Sequence, residues 1–385
     1  MKTKIIPRTI FFSSSRALKF LFLFFFSTGF CLGQSRDELL KTKLDSAFSN
    51  IFNANEPGGS ILIQQGGKTL YENSFGLADL KTKEKFTTKT VSNLGSISKT
   101  FVSYGILILQ KRNKLSVNDN LLKFFPDFKV KKIANAVKLH HLLTHTSGLP
   151  DLRHVEKDSI YYLTAKDEEN FSPLKQTDSL EFEPGSKFNY SNPAYNGLAL
   201  VIEKASYMKW QHFIAENIFK PSGMNNSIIT DGNFPDKNVA HGYILRDKVY
   251  QEYDYGEYPT FAAAGNGGVW SSVEDLKKYI SAIQECKFTS CAIIKESETV
   301  YNPINWSSEK AADHTGTWFV HNGFYSGIKT EEHVKVIEHA GDQGGFKSHL
   351  LMIPDKNISI IWLTNNNQFI TGHIRRILLQ LKYID

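Results

Sequence analysis

Several features that would assign a function directly are absent from this 385-residue sequence. It has three cysteines, of which Cys286 and Cys291 lie outside the N-terminal segment. This pair forms either a local disulfide in an oxidising compartment or two free buried thiols, and it is too small for a metal site. His141 and His145 in HHLLTH have the spacing of a zinc helix but lack the glutamate of H-E-x-x-H. We find no internal repeat and no glycine-rich phosphate loop, so the sequence predicts neither a metal nor another cofactor.

An excess of charge is also absent from the body of the chain. The formal net charge is +6, but residues 1–33 contain five basic residues and no acidic one, which leaves about +1 for the remainder. A nearly neutral body argues against nucleic acid as a partner. Because 41% of the residues are hydrophobic, the composition is that of a folded protein rather than a disordered one.

No apolar run is long enough to cross a membrane comfortably, since the longest candidate covers only residues 20–33. It follows a basic stretch and carries small residues at Cys31 and Gly33, which is typical of a signal peptide over residues 1–33 that is cleaved before Gln34. The alternative is an uncleaved anchor helix. We therefore expect an exported protein, periplasmic or secreted, that contacts a membrane only if this segment is retained.

Both ends of the mature chain carry helix and strand patterns. Apolar residues recur at helical spacing over 37–52, and the β-like runs SILIQQ and KTLYENSF then flank a Gly66-Gly67 turn. Near the C terminus, SHLLMI and ISIIWLT flank PDKN, and HIRRILLQLKYI has one apolar helical face. These patterns predict one α/β layer, with a more helical region between its two halves.

The segment SISKTFVSYGILILQ is apolar nearly all round, which predicts a buried helix with Ser96 in its first turn. Lys99 shares the face of Ser96, and a buried lysine can lose its charge and accept the proton of a serine hydroxyl. A simple serine cap is the alternative, and the spacing alone does not decide between them. The same S-x-x-K spacing begins at Ser172, Ser206, Ser307 and Ser326.

Two further motifs are equally unspecific by themselves. Tyr190 beside a cationic lysine could relay protons and Asn192 could bind a substrate amide, or the two could pack and cap a helix. The segment from His339 to Gly341 precedes the C-terminal strands, where glycine admits close backbone approach and a strand edge can offer an N–H to an oxyanion. Related patterns occur at Tyr71, His314 and His321.

The order S-x-x-K, Y-x-N, H-x-G resembles the serine β-lactamase and penicillin-binding protein superfamily. More narrowly, LGSISKTF, KLHHLLTHTSGLPD, FEPGSKFNYSNPAYNGLALVIE and GNGGVWSSVEDLKKY resemble the class C β-lactamase-like branch, which includes D,D-carboxypeptidases, D-aminopeptidases and esterases. The resemblance implies an α/β (α+β) fold with an antiparallel sheet flanked by the terminal helices. It places a catalytic domain at 34–385, with the sheet at about 34–90 and 300–385 and an inserted helical lobe at about 91–299.

The resemblance also implies roles for individual residues. Ser96 would be acylated, Lys99 would help deprotonate it, and Tyr190 would transfer protons to the leaving group and from water. Asn192, His339 and Gly341 would contact the substrate, and the backbone N–H groups of Ser96 and Asp342 would form the oxyanion hole.

One departure from the branch concerns specificity. Class C β-lactamases usually carry lysine where this sequence has His339, and a neutral histidine holds a substrate carboxylate poorly at neutral pH. The sequence therefore predicts an exported serine hydrolase that cleaves an ester or amide in a small-molecule or peptide substrate, peptidoglycan-derived peptides included. The alternatives are a β-lactamase or D,D-carboxypeptidase in the narrow sense, and a non-catalytic binding or sensor module.

Overall fold

A computed structural model describes residues 36–153, 164–232, 234–253, 261–298, 314–316, 321–324 and 335–384. The predicted signal peptide lies outside these residues. Within them, no helix is long and apolar enough to cross a membrane.

Strands near both ends of the described chain flank a region that consists mostly of helices. The strands are β1 (Gly59–Gln65), β2 (Lys68–Phe75), β3 (Ser92–Asn93), β4 (Ile228–Ile229), β5 (Tyr243–Arg246), β6 (Val249–Glu252), β7 (Val269–Ser271), β8 (His314–Gly316), β9 (His321–Phe324), β10 (Lys335–Gln343), β11 (Phe346–Ile353) and β12 (Ile358–Thr364). The helices are α1 (36–49), α2 (Ser98–Lys111), α3 (Lys131–Ala136), α4 (Leu139–Leu143), α5 (Asp167–Lys175), α6 (Asn192–Ser206), α7 (Trp210–Ile214), α8 (Lys220–Ser222), α9 (Ala264–Gly267), α10 (Val273–Gln284), α11 (Cys291–Ser297) and α12 (Thr371–Gln380).

A seven-stranded antiparallel sheet forms the centre of the fold, in the order β2-β1-β12-β11-β10-β9-β8. The predicted hairpin of β1 and β2 is confirmed, and its turn residues Gly66 and Gly67 have φ values of 56° and 78°, which glycine adopts without strain. The predicted pair of β11 and β12 is also confirmed. The α/β fold expected from the sequence is therefore the fold of the protein.

The sheet is buried on both faces. Ile61 and Ile63 of β1 point to one side, where they pack with α1 and α12, whereas Leu62 points to the other side, toward the helical region. This alternation follows from the two-residue period of a strand. Because both faces are covered at the centre of the sheet, β12 has the nearly continuous apolar sequence ISIIWLT and is buried throughout.

Helix α2 lies in the middle of the helical region, and every residue from Ser98 to Leu109 is buried, as the sequence predicts. Phe101 stacks on Tyr279 of α10 with ring centroids 4.2 Å apart. Gly105 packs so closely against α6 that an added methyl would lie 2.7 Å from Ile202. This packing fixes α2 against the neighbouring helices α6 and α10.

The structure resolves the alternatives for the cysteine pair. Cys286 and Cys291 form a disulfide with an S–S distance of 2.07 Å. The bond joins the end of α10 to the start of α11, and it closes a short loop beside the core of the helical region.

Two details differ from the sequence expectation. The N-terminal helix covers 36–49 rather than 37–52, and the segment from His339 to Gly341 lies inside β10 instead of before the strands. The second difference arises because this short segment mixes polar and small residues, which hides its strand character. The boundaries of the sheet part and the helical lobe stay a prediction.

Candidate active site

Ser96 lies in a 3-10 turn, Gly95–Ile97, directly before α2 rather than within its first α-helical turn. Gly95 has a φ of 50°, and its N–H donates to Asn93 Oδ1 at 2.7 Å. This turn holds Ser96 at the junction of the sheet and the helical region. The neighbouring Ser98 is fully buried, and its hydroxyl accepts from the N–H of Val269 at 3.0 Å, so it is not directed to the same place.

The hydroxyl of Ser96 is contacted by the two side chains that the sequence singles out. Lys99 Nζ lies 3.0 Å from Ser96 Oγ, and the Tyr190 hydroxyl lies 2.9 Å from it. Lys99 also donates to the backbone carbonyl of Asn266 at 2.8 Å. The serine thus has two proton-transfer groups within hydrogen-bond distance.

Burial lowers the pKa of Lys99 well below the ordinary value of lysine, and the positive charge of Arg153 lowers it further. The side chain is only 1% exposed, so desolvation strongly disfavours the ammonium form. Arg153 is itself buried and forms a bidentate ion pair with Asp151. A neutral amine beside a serine hydroxyl can act as a general base.

His145 positions Tyr190 from three directions. The two rings stack with centroids 4.3 Å apart. The N–H of Asn189 donates to the His145 carbonyl at 2.8 Å, and the N–H of Ser191 donates to His145 Nδ1 at 3.0 Å. The residues on both sides of Tyr190 are therefore bonded to one histidine, which itself has a left-handed φ of 57°.

Asn192 is the first residue of α6 and does not cap that helix. The cap is Ser191, whose hydroxyl accepts from the N–H of Ala194 at 3.3 Å. Asn192 is partly buried and lies two residues after Tyr190, and its contact with a substrate stays a prediction.

Strand β10 passes directly beside the turn that holds Ser96. A methyl on Gly341 would lie 2.0 Å from the Leu94 carbonyl, and a methyl on Gly95 would lie 2.8 Å from the Asp342 nitrogen. The glycine therefore permits close approach, as expected, but the group it approaches is the protein's own backbone. The Asp342 N–H reaches the neighbourhood of Ser96, while the Asp342 carboxylate pairs with Lys347.

His339 shares a face of β10 with Gly341, two residues further along the strand. It is 5% exposed, and its Nδ1 lies 2.7 Å from the Ala340 carbonyl. Because a carbonyl oxygen can only accept, Nδ1 carries a proton in this arrangement. The histidine is thus placed on the active-site side of the strand.

The two histidines at zinc-helix spacing have other roles. His141 Nδ1 accepts from the N–H of Lys138 at 3.1 Å, and His145 Nδ1 accepts from Ser191. Among the described residues, no group of three or more His, Cys, Asp or Glu side chains could hold a metal ion.

The structure brings together Ser96, Lys99 and Tyr190, which the motifs indicate, but the sequence does not reveal the groups behind them. In the sequence His145 belongs only to an incomplete zinc pattern, and Asn266 and Arg153 belong to no motif. Each lies far along the chain from the group that it contacts, so local spacing carries no signal for these pairs.

The sequence profile described as Beta-lactamase matches residues 40–383 of this chain. The chain belongs to the β-lactamase family. This agrees with the resemblance to the serine β-lactamase and penicillin-binding protein superfamily that the three motifs indicate. The match spans the sheet, the helical region and every residue of the candidate site.

Relatives of this β-lactamase-family protein include penicillin-binding proteins. Penicillin-binding protein 4* of Bacillus subtilis (strain 168) is 28% identical over 342 residues, which cover 84% of this chain and 72% of that protein. The octameric penicillin-binding protein homologue of Pyrococcus abyssi is 27% identical, with a TM-score of 0.71, and the match covers 85% of this chain and 74% of that one. The D-amino acid amidase of Ochrobactrum anthropi SV3 shares the fold with a TM-score of 0.72 at 19% identity, over 90% of this chain and 99% of that one.

Proposed function

We propose that this protein is an exported serine hydrolase that cleaves an ester or amide bond through an acyl-enzyme on Ser96. The observation that carries the proposal is the convergence of Lys99 Nζ and the Tyr190 hydroxyl on one serine oxygen. Membership of the β-lactamase family supports the same chemistry.

In the acylation step, neutral Lys99 accepts the hydroxyl proton while Ser96 Oγ forms a bond to the substrate carbonyl carbon. The carbonyl oxygen becomes an oxyanion, which the N–H groups of Ser96 and Asp342 stabilise. Tyr190 then gives a proton to the leaving alcohol or amine as the scissile bond breaks, and the proton held by Lys99 passes to the Tyr190 oxygen, so that both side chains regain their starting protonation states. The alcohol or amine therefore leaves the site as a neutral molecule.

In the deacylation step, a water molecule attacks the ester carbonyl of acylated Ser96. Tyr190 accepts the proton of this water as it passes its own proton to neutral Lys99, and Lys99 then returns that proton to the serine oxygen as the acid product leaves. Asn192, His339 and Gly341 would contact the substrate on either side of the scissile bond. The substrate is a small molecule or peptide, and fragments of peptidoglycan belong to this class.

Export is part of the proposal. A basic segment followed by residues 20–33 and then Gln34 has the pattern of a signal peptide. The disulfide of Cys286 and Cys291 supports an oxidising compartment such as the periplasm or the exterior. A membrane is a partner only if the N-terminal segment is retained.

The proposal is tested by covalent labelling with a fluorophosphonate probe. We expect wild-type protein to be labelled at one site, the Ser96→Ala variant to remain unlabelled, and the neighbouring Ser98→Ala variant to retain the label. Lys99→Ala should abolish turnover of a p-nitrophenyl ester, which also separates an enzyme from a binding or sensor module. Equal labelling of wild type and Ser96→Ala would refute the assignment.

A narrower activity, β-lactamase or D,D-carboxypeptidase, is favoured by the likeness to penicillin-binding proteins. His339 argues against its lactamase half, since that position lacks the cation which would hold a substrate carboxylate. We expect slow nitrocefin hydrolysis by the wild type and a gain of about tenfold in kcat/KM for His339→Lys, measured by absorbance. Rapid wild-type hydrolysis would reverse this ranking.

A further inference from the structure

Asp167 is a buried carboxylate that the proposed reaction does not use. It is the first residue of α5, it is 7% exposed, and burial raises its pKa to about 6. A buried acid is costly unless its oxygens are satisfied. Here Oδ1 accepts from the Gly265 N–H at 2.8 Å and from Asn196 Nδ2 at 2.6 Å, while Oδ2 accepts from Trp210 Nε1 at 2.8 Å.

The two oxygens of this carboxylate serve different parts of the molecule. Oδ2 bonds to α7 through Trp210, which is far from Ser96 in the hydrogen-bond network. Oδ1 bonds to α6 and to the short helix α9, whose residue Asn266 accepts from Lys99. The Asp167 carboxylate therefore connects Trp210 of α7 with the parts of α6 and α9 that lie near Lys99, the candidate base.

A continuous chain of buried hydrogen bonds leads from Asp167 to Lys99. Asn196 donates to Asp167 through Nδ2 and accepts from Asn266 Nδ2 through Oδ1 at 2.9 Å. The backbone carbonyl of Asn266 then accepts from Lys99 Nζ at 2.8 Å. Asn196 is fully buried and Asn266 is 4% exposed, so water does not offer alternative partners to these amides.

The direction of each bond in this chain follows from the carboxylate. An ionised Asp167 can only accept, so Asn196 must present its NH2 group to it and its oxygen to Asn266. Asn266 must then present its own NH2 group to Asn196. This fixes the side chain of Asn266, and the second bond from Oδ1 to Gly265 fixes the backbone just before it.

We propose that Asp167 is a positioning residue for Lys99, which it orients through Asn196 and the α9 backbone so that the amine faces Ser96. The inference rests on the proposed role of Lys99 as the base. A carboxylate in this place is needed because three donors converge on it, and no neutral side chain of similar size accepts from all three.

The test compares variants that remove the hydrogen bonds of one or both carboxylate oxygens. Asp167→Leu removes the bonds of both oxygens, and Asn196→Leu interrupts only the chain of hydrogen bonds to Lys99. Trp210→Phe is the matched control, because it removes the bond to Oδ2 and leaves the chain intact. Assays are run at about pH 8, which is above the pKa of Asp167 of about 6, so that the acid stays ionised.

The rate constant of Ser96 acylation by a chromogenic ester probe is measured by stopped flow separately from probe binding, and the stability of each variant is measured by urea unfolding. We expect Asp167→Leu and Asn196→Leu to slow acylation by about tenfold or more with probe binding unchanged, and the double variant to be no slower than the slower single one. Trp210→Phe should lose stability and keep the wild-type acylation rate.

Two results would overturn the inference. One is wild-type acylation by a folded Asn196→Leu variant, which remains measurable even if Asp167→Leu does not fold. The other is an equal slowing in all three single variants. Wild-type protein that takes no label at Ser96 would instead refute the proposed function, so the two failures are distinct.

Discussion

The Gly341→Ala substitution should move apart the two proposed oxyanion donors, the N–H groups of Ser96 and Asp342, without altering the side chains of Ser96, Lys99 or Tyr190. The added carbon would lie 2.0 Å from the Leu94 carbonyl and 2.2 Å from Ser348 Oγ, which itself donates to that carbonyl at 2.8 Å. Real Cβ atoms essentially never approach within 3.0 Å of other heavy atoms. Strand β10 therefore has to move away from the Gly95–Ile97 turn by about 1 Å, because both obstructing groups belong to a bonded pair.

This displacement moves the Asp342 N–H away from Ser96. A misplacement of about 1 Å in an active site lowers the rate by about 100-fold, and overpacking of this kind costs about 1–3 kcal/mol of unfolding free energy. The acylation rate of Gly341→Ala would be measured by stopped flow with a chromogenic ester, and its stability by urea unfolding.

Gly58→Ala is the steric control. Its methyl would lie 1.7 Å from the Phe75 carbonyl, beside β1, which two strands separate from β10. We expect a comparable loss of stability and no specific loss of acylation rate. If Gly341→Ala folds and acylates at the wild-type rate, the assignment of Asp342 to the oxyanion hole is refuted.

Three further outcomes are expected. His145→Asn tolerates the left-handed backbone but removes the ring that stacks on Tyr190, so kcat with a chromogenic ester should fall by about tenfold or more at similar KM. Lys99→Met should abolish acylation and raise the melting temperature, because it removes a buried amine. The pKa of Lys99 is lower in the folded than in the unfolded protein, so the unfolding free energy of the wild type falls as pH falls from alkaline toward neutral. The unfolding free energy of the variant, measured in urea at each pH, should fall less over this range. Replacing Cys286 and Cys291 by serine should lower the unfolding free energy by about 2 kcal/mol without changing kcat.

One control variant and three contradicting results test these outcomes. His141→Asn removes a neighbouring ring that accepts from the Lys138 N–H, and it should leave kcat unchanged. A His145→Asn variant as active as wild type would contradict the role given to the stacked ring. A Lys99→Met variant less stable than wild type at neutral pH would contradict a neutral buried amine. A reductant that leaves wild-type stability unchanged would contradict the disulfide.

Local sequence signals predicted the elements whose partners are near in the chain. The hairpin of β1 and β2 and the apolar helix α2 follow from residues within one turn or one strand of each other. The proximity of Ser96 and Lys99 follows in the same way, since residues three apart lie side by side where the 3-10 turn continues into α2.

The chemistry of that pair could not be read from its spacing. Ser172 and Lys175 on α5 have the same spacing, but Lys175 forms ion pairs with Asp127 and Glu168, which raise its pKa. Lys99 instead donates to a backbone carbonyl and a serine hydroxyl, and burial lowers its pKa. The difference lies in neighbours brought by tertiary folding, and in the sequence only the order of three motifs along the chain favours Ser96 over the other serines with this spacing.

The sequence likewise gives no signal for the contacts of Asp167 Oδ1 with α6 and α9, because they join residues 29 and 98 positions apart. An aspartate at the start of a helix reads as an ordinary favourable charge near the helix dipole. Its burial, and the three donors that converge on it, are properties of the folded chain.

The pairing of α1 with the C-terminal region has a practical consequence for engineering. Arg36 donates to the Lys382 carbonyl and stacks over the ring of Tyr383 at 3.9 Å, on the side of the sheet opposite to Ser96. A short peptide linker could therefore join these two ends, with new termini opened in a surface turn such as Gly66-Gly67. A circular permutant of this kind, or a protein immobilised through residue 36 or 384, would carry its modification on the face of the sheet opposite to Ser96.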